Sequence, residues 1–167
     1  MTPEEMIGAA LAVAEAGLAA GEQPIGAVVV LGDEVVAQAY TQEKASGRRL
    51  VHADLLAMTA ADHLLGWRRM PHPLRLAVNL EPCVMCLGAA MALGVGEVYF
   101  ALESPADGAA RVAAEWPSHP DAPWFTAPAV IGGIRREESR ELFRRYCDSV
   151  PDSPMRRWAQ TLVNLPQ

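Results

Sequence analysis

The chain has 167 residues, of which 51% are hydrophobic and 20% are charged, and these values predict one domain with a buried core. Its formal net charge of −6 argues against a broad nucleic-acid interface, because such interfaces are basic. Three cysteines form no even disulfide framework, the first residues are acidic where a secretory signal is basic, and no uncharged apolar stretch is long enough for a bilayer, so we expect a cytoplasmic protein without membrane contact.

The first quarter of the chain predicts a helix followed by a β-hairpin. Thr2 suits the N-cap position, and apolar residues then recur at helical spacing until about residue 21. Residues 25–31 and 34–40 are apolar or β-branched runs, and residues 32–33, Gly-Asp, are typical of a hairpin turn. We therefore expect two antiparallel strands.

The middle of the chain predicts two helices separated by a strand. Residues 41–50 are polar and predict a loop, which leads into a helix over residues 51–65. The short apolar run 74–79 predicts a third strand. A second helix, over residues 83–93, is apolar nearly all round, so we expect it to be buried on every side or covered by another subunit.

The last part of the chain continues the alternation of strands and helices. We expect strands at 96–102 and 130–134, a short helix at 109–115 within an irregular proline-rich stretch, a helix at 137–148, and an amphipathic helix after Pro151. This order implies the α/β class, with a three-layer α/β/α sandwich around a mixed sheet. We expect residues 1–167 to form a single domain, with residues 151–167 as a C-terminal helical extension.

Two short motifs carry the side chains that bind zinc. His52-Ala53-Asp54 supplies an imidazole and a nearby carboxylate, and Pro82-Cys83-Val84-Met85-Cys86 supplies two thiols at the start of a predicted helix. Three protein ligands leave the fourth tetrahedral position free for a water, whose pKa zinc lowers to about 7. The pattern favours a catalytic Zn²⁺ site over a structural zinc site or a redox pair, because the third cysteine, Cys147, has no partner at ligand spacing.

The two motifs, His-x-acid and then Pro-Cys-x-x-Cys, resemble the signature of the cytidine deaminase superfamily of zinc deaminases. Residues 80–89, LEPCVMCLGA, are similar to the branch that holds tRNA adenosine deaminases and guanine deaminases, and residues 24–30 resemble the first strand of that fold. The resemblance covers roughly residues 5–147. It implies a five-stranded sheet in the order 2-1-3-4-5, with the last two strands parallel, and a homodimer formed partly through the cysteine helix.

The resemblance also implies roles for individual residues. His52, Cys83 and Cys86 would bind Zn²⁺, and Asp54 would be the catalytic group that carries protons. The family has glutamate where this chain has Asp54, so the carboxylate is one methylene shorter. Either its helix lies closer to the metal, or a water bridges the gap, or catalysis is weak; an engineered substitution is a further alternative.

Two further segments are candidates for substrate binding, and a third departs from the family pattern. Ile25, Gly26 and Ala27 resemble the family segment whose backbone reads the edge of the base, and Gly26 permits close approach of the backbone to a ligand. Thr41 stands where related enzymes have an asparagine that contacts the ribose or base. Residues 47–50, GRRL, replace an Asp-Pro-Thr that usually precedes the histidine.

Large aromatic residues offer further candidates. Trp124 and Phe125 lie between prolines, where they either stack on a planar base or anchor the loop onto the core. Trp158, on the last predicted helix, either packs or acts as a lid. Arginine doublets such as Arg48-Arg49 either bind phosphates or are ordinary solvated positions.

Together these features predict a Zn²⁺-dependent enzyme that removes an exocyclic amine from a ring and releases ammonia. The acidic charge favours a free base, nucleoside or other small heterocycle over tRNA. A tRNA adenosine deaminase is the alternative within the class, supported by residues 80–89. The alternative outside the class of deaminases is a catalytically silent zinc-binding protein, and Asp54 in place of glutamate would indicate the loss of activity.

Overall fold

A computed structural model describes all 167 residues of the chain. Its five strands are β1 (Gly26–Leu31), β2 (Glu34–Tyr40), β3 (Leu74–Leu80), β4 (Val95–Leu102) and β5 (Ala129–Ile131). They form one sheet in the order β2-β1-β3-β4-β5. Strand β1 runs antiparallel to β2 and β3, whereas β3, β4 and β5 are parallel. The predicted fold class and strand order are therefore confirmed.

The helices are α1 (Pro3–Ala19), α2 (Glu43–Ser46), α3 (Ala53–Leu65), α4 (Val84–Leu93), α5 (Ala110–Glu115), α6 (Arg136–Ser149) and α7 (Pro154–Val163). Alternate residues of β1 point to opposite faces of the sheet. Val28 and Val30 pack with side chains of α1 and α6, and Val29 packs with those of α3 and α4. The sheet thus has helices on both faces, which gives the three predicted layers.

Strand β5 is shorter than the predicted run of residues 130–134. It ends at Ile131 because two glycines follow, and Gly133 has a φ of +84°, which takes the chain out of extended geometry. At Gly132, a Cβ atom would lie 2.0 Å from the ring of Phe100. The ring of Phe100 leaves room for glycine alone at position 132, and the positive φ of Gly133 ends the extended geometry.

Helix α2 lies within residues 41–50, which the sequence predicts as a loop. Its first amides are bound by a distant side chain, since Glu22 accepts hydrogen bonds from the backbone of Lys44 (3.1 Å) and Ala45 (2.7 Å). Gly47, with a φ of +63°, ends the helix. A four-residue helix is not stable alone, so its formation depends on Glu22, which local sequence patterns do not reveal.

Helix α7 packs on α6, and the residues that follow α7 are tied to α6 by polar contacts. Phe143 and Trp158 pack edge to face, with ring centroids 6.0 Å apart. The guanidinium groups of Arg136 and Arg140 donate hydrogen bonds to the carbonyl of Pro166 at 2.8 and 3.0 Å. None of the helices combines the length and the apolar character that crossing a membrane requires.

Candidate metal centre and adjoining cavity

The three predicted zinc ligands meet where two helices begin. His52 is the N-cap of α3 and Cys83 is the N-cap of α4, while Cys86 lies in the first turn of α4. The positive ends of the two helix dipoles favour thiolate sulfur at this place. The loops that follow β2 and β3 therefore bring both motifs together, as their positions before predicted helices suggest.

The spacing of the donor atoms fits a tetrahedral zinc ion. Nδ1 of His52 lies 3.6 Å from Sγ of Cys83 and 3.8 Å from Sγ of Cys86, and all three donor atoms lie within 4.8 Å of one another. Zinc–nitrogen and zinc–sulfur bonds of normal length at a tetrahedral angle place nitrogen and sulfur about 3.6 Å apart. One nitrogen and two sulfurs are ligands that zinc prefers, so these residues fit the ion.

The structural alternative needs a fourth protein ligand, which the site does not offer. Cys147 lies in a separate apolar cluster beneath α7, and burial raises the pKa of its thiol. The cluster of donor atoms holds three residues, and three ligands with an open position are typical of catalytic zinc.

The three candidate ligands have shifted pKa values, and the two thiols shift in opposite directions. A hydrogen bond from Cys86 lowers the pKa of Cys83 to about 4. The hydrogen bond between His52 and Cys83 raises the pKa of His52 to about 9. The same contact between the sulfurs, together with burial, raises the pKa of Cys86. Because zinc binds thiolates and neutral imidazole, its binding displaces the protons of His52 and Cys86.

Glu43 is a neighbour of the candidate ligand His52 that sequence reasoning missed. Its Oε1 lies 3.3 Å from Nε2 of His52. A carboxylate on the second ring nitrogen fixes the tautomer that leaves Nδ1 free for a metal. The spacing of nine residues carries no known signal, and Glu43 approaches the ring only because α2 forms.

Asp54 is a buried carboxylate beside the ligand sulfurs. It is 4% exposed, and its Oδ1 accepts hydrogen bonds from Sγ of Cys86 at 2.9 Å and from the amide of Leu55 at 3.1 Å. Burial is the main cause that raises its pKa. A carboxyl group in this position can exchange protons with a group held at the metal centre.

A cavity of about 350 Å³ opens over these residues. Of the predicted site residues, it is lined by Ile25, Thr41, His52, Asp54 and Cys83. Other lining residues come from several elements and include Gln23, Glu43, Leu80, Glu81, Met155 and Trp158. Its volume lies within the range of about 300–1,000 Å³ that is usual for small-ligand sites.

Helix α7 supplies one wall of the cavity through Met155 and Trp158. Trp158 packs on Phe143, which agrees with the packing role, and it also lines the cavity; its role as a lid stays a prediction. Met155, one turn before Trp158 on the same helix, was not predicted to line the site.

The structure does not bring Gly26 and Ala27 to the cavity. The amide of Gly26 donates to Oδ1 of the buried Asn79 at 2.8 Å, and a Cβ atom on Gly26 would lie 2.3 Å from the backbone nitrogen of Ala14. Gly26 thus permits the close approach of α1 rather than of a ligand. Ala27 is fully buried within the core. Of the three-residue segment, Ile25 alone faces the cavity.

Trp124 and Phe125 also lie outside the cavity. The ring of Phe125 packs edge to face on Trp116, with centroids 6.1 Å apart, and contacts the cluster that α4 and α5 share. Trp124 is 73% exposed. Phe125 therefore anchors its loop, which was the alternative to base stacking, and neither residue faces the metal centre.

Thr41 lies at the cavity, but its hydroxyl is engaged. Oγ1 donates to the carbonyl of Val51 at 3.3 Å, and the amide of Thr41 donates to the carbonyl of Ile25 at 3.0 Å. These bonds join the end of β2 to the residue before His52. A hydroxyl oxygen keeps acceptor capacity toward a ligand.

Comparison with known proteins adds independent information. Residues 1–102 match the model of the cytidine and deoxycytidylate deaminase zinc-binding region. The tRNA-specific adenosine deaminase of Agrobacterium fabrum is 33% identical over 75% of this chain and 80% of its own length. The chain also matches the tRNA(Ile)-lysidine synthase of Deinococcus radiodurans at 34% identity, and spans 24% of the length of that protein.

Solved structures agree with these matches. A chain from a study of A-to-I editing by tRNA:A34 deaminases is 30% identical, with a TM-score of 0.71, over 83% of this chain and 98% of that chain. A guanine deaminase from Nitrosomonas europaea is 26% identical, with a TM-score of 0.69, over 87% of this chain and 84% of that chain.

Proposed function

Because the chain belongs to the cytidine and deoxycytidylate deaminase zinc-binding family, we propose that it is a zinc-dependent hydrolytic deaminase of a nucleobase, nucleoside or related amino-heterocycle. The observation that carries the proposal is that candidate metal ligands and a buried carboxylate line the same cavity. His52, Cys83 and the buried Asp54 all line it, and the relatives act on rings of this class by name. The reaction replaces a carbon–nitrogen bond by a carbon–oxygen bond and releases ammonia.

In this proposal His52, Cys83 and Cys86 hold Zn²⁺, which supplies Lewis acidity and an activated water when bound. Asp54 takes a proton from the water, gives it to a ring nitrogen, and then helps the amine leave as ammonia. The low exposure of Asp54 keeps bulk water away from these transfers. Glu43 holds the ring of His52 in the tautomer that the metal needs.

The catalytic unit that we propose includes residues 151–167. Met155 and Trp158 form part of the cavity wall, so the C-terminal helix belongs to the site rather than to a separate module. We also propose a homodimer through α4, because Val84 on this helix is 57% exposed. Size-exclusion chromatography with light scattering tests the dimer, and a monomer at micromolar concentration would contradict it.

The test of the deaminase proposal is ammonia release across a panel of purine and pyrimidine bases, nucleosides and triazines. We expect turnover on at least one ring, and its loss in Asp54→Asn while zinc content stays the same. If the zinc-loaded protein turns over no compound of the panel and no tRNA stem-loop, the catalytically silent alternative is supported. The aspartate in place of glutamate favours that alternative.

A tRNA adenosine deaminase is the second candidate, because relatives carry this activity in their names. The net charge of −6 predicts weak, strongly salt-dependent binding to RNA. A gel-shift titration at physiological salt distinguishes the two candidates. Tight binding specific to a stem-loop, with inosine formed in it, would favour tRNA as the substrate.

A further inference from the structure

A second cavity of about 540 Å³ adjoins the first, and we propose that it binds a phosphate group of the substrate through Lys44, Arg48 and Arg49. This inference rests on the proposed function and narrows its substrate to a phosphorylated nucleoside unit. The two cavities share three lining residues: Gln23, Glu43 and Met155. A ligand whose ring lies over Asp54 can therefore extend into the second cavity.

The acidic side chains of the second cavity already have partners. Both carboxylate oxygens of Glu22 accept hydrogen bonds from the first amides of α2. Glu43 pairs with the ring of His52. These contacts within the protein therefore partly offset the negative charges of Glu22 and Glu43.

The three cations of the cavity, in contrast, have no carboxylate partner in the structure. All three are exposed. Arginines elsewhere are mostly paired with acidic residues, namely Arg111, Arg135, Arg136, Arg140, Arg144, Arg145 and Arg157. In a protein with a net charge of −6, unpaired positive charge concentrated at one cavity favours an anion there.

The segment that carries the cations is held at both ends. Lys44 lies on α2, whose start Glu22 fixes, and the amide of Gln42 donates to the carbonyl of Val51 at 3.1 Å. The segment therefore closes on the residue before His52. A phosphate bound here would be at a fixed position relative to the metal ligands, which lowers the entropic cost of binding.

The ligand chemistry follows from the side chains. Arginine presents two parallel N–H donors that match phosphate oxygens, and lysine adds a point charge. Arg48 and Arg49 are adjacent in the chain, and both line the second cavity. The phosphate ester belongs either to a mononucleotide or to the backbone of an oligonucleotide, since both carry this group on the sugar that bears the ring.

The experiment compares substrates with and without phosphate. The nucleoside that the zinc-loaded enzyme deaminates, its 5′-monophosphate and a short single-stranded oligonucleotide containing it are assayed with wild type, Arg48→Ala/Arg49→Ala and Lys44→Gln. The matched control is Arg68→Ala/Arg69→Ala, which removes an exposed arginine doublet outside the cavity. Zinc content and Tm verify that each variant is folded.

We expect wild type to prefer a phosphorylated substrate, and the ratio of kcat/KM values for phosphorylated over unphosphorylated substrate to fall about 10-fold or more in Arg48→Ala/Arg49→Ala. The control doublet should leave the ratio unchanged. Loss confined to the mononucleotide, or to the oligonucleotide, identifies the source of the phosphate. Equal kcat/KM values with and without phosphate, unaffected by the variants, would overturn the proposal.

A binding measurement separates this inference from the proposed function. Titration of the zinc-loaded protein with nucleoside monophosphates by calorimetry needs no turnover. Binding that Arg48→Ala/Arg49→Ala weakens, without deamination of any ring, would retain the phosphate site and reject the deaminase. Deamination that the Arg48→Ala/Arg49→Ala variant does not affect, with unchanged binding, would retain the deaminase and reject the phosphate site.

Discussion

Replacing Glu43 by alanine should weaken Zn²⁺ binding without removing a ligand. The Glu43 carboxylate lies 3.3 Å from Nε2 of His52 and favours the tautomer with its proton on Nε2; without the carboxylate the ring is free to present the wrong tautomer and orientation. Partners of metal-bound histidines typically contribute about 10- to 100-fold to metal affinity. The contact is longer than the 2.7–2.9 Å or so of a strong charge-assisted bond, and the Glu43 side chain is 30% exposed. We therefore expect the lower end, about 10-fold or about 1.4 kcal/mol.

Competition with a chromophoric chelator measures this affinity directly. Glu43→Gln keeps an acceptor oxygen but loses the charge, so its affinity should lie between those of wild type and Glu43→Ala. Glu34→Ala, at the far end of β2, removes an exposed charge of the same sign and should leave zinc binding unchanged. Zinc affinity of Glu43→Ala equal to wild type, in a folded protein, would refute the role of Glu43 in orienting His52.

Other substitutions test the remaining assignments. Cys86→Ala should lose zinc and much of its stability, whereas Cys147→Ala should keep zinc in metal analysis; retained zinc in the first would reject the ligand set. Asp54→Asn should keep zinc and lose about 10²- to 10⁴-fold in kcat, and Asp54→Glu should also be slower, since the buried carboxylate already contacts a ligand sulfur; faster turnover would show a pocket shaped for glutamate. Arg136 holds the pKa of Glu103 below its usual range, so the pair stabilises the fold above that range and the stabilisation is lost as pH falls through the folded pKa. The Tm difference between wild type and Glu103→Gln should therefore shrink in acid; a constant difference would contradict this.

The sequence predicts the parts of this molecule that depend on local patterns. A continuous apolar run located β1, and helix-start patterns placed His52 and Cys83 where two helices begin. The candidate metal ligands needed no long-range information beyond this, because each motif carries its own helix start. The strand order came from the family resemblance rather than from the pattern.

The parts that the sequence did not predict depend on contacts between distant residues. Helix α2 needs Glu22, about twenty positions earlier, and Glu43 reaches His52 only through α2. The packing of Gly26 against Ala14 on α1 is another such contact. The net charge describes the whole surface, so it conceals the unpaired cations of one cavity.

Helix α7 offers a way in which proteins of this fold can differ in the substrates that they bind. Its Met155 and Trp158 enclose the cavity, yet it contributes neither a metal ligand nor a strand. It is held by Trp158 on Phe143 and by the arginine contacts to Pro166. Changes in this one helix can therefore reshape the space above the metal while the sheet and the ligand set stay constant. Grafting residues 151–167 onto a relative with a different substrate is thus a direct way to transfer selectivity without rebuilding the catalytic core.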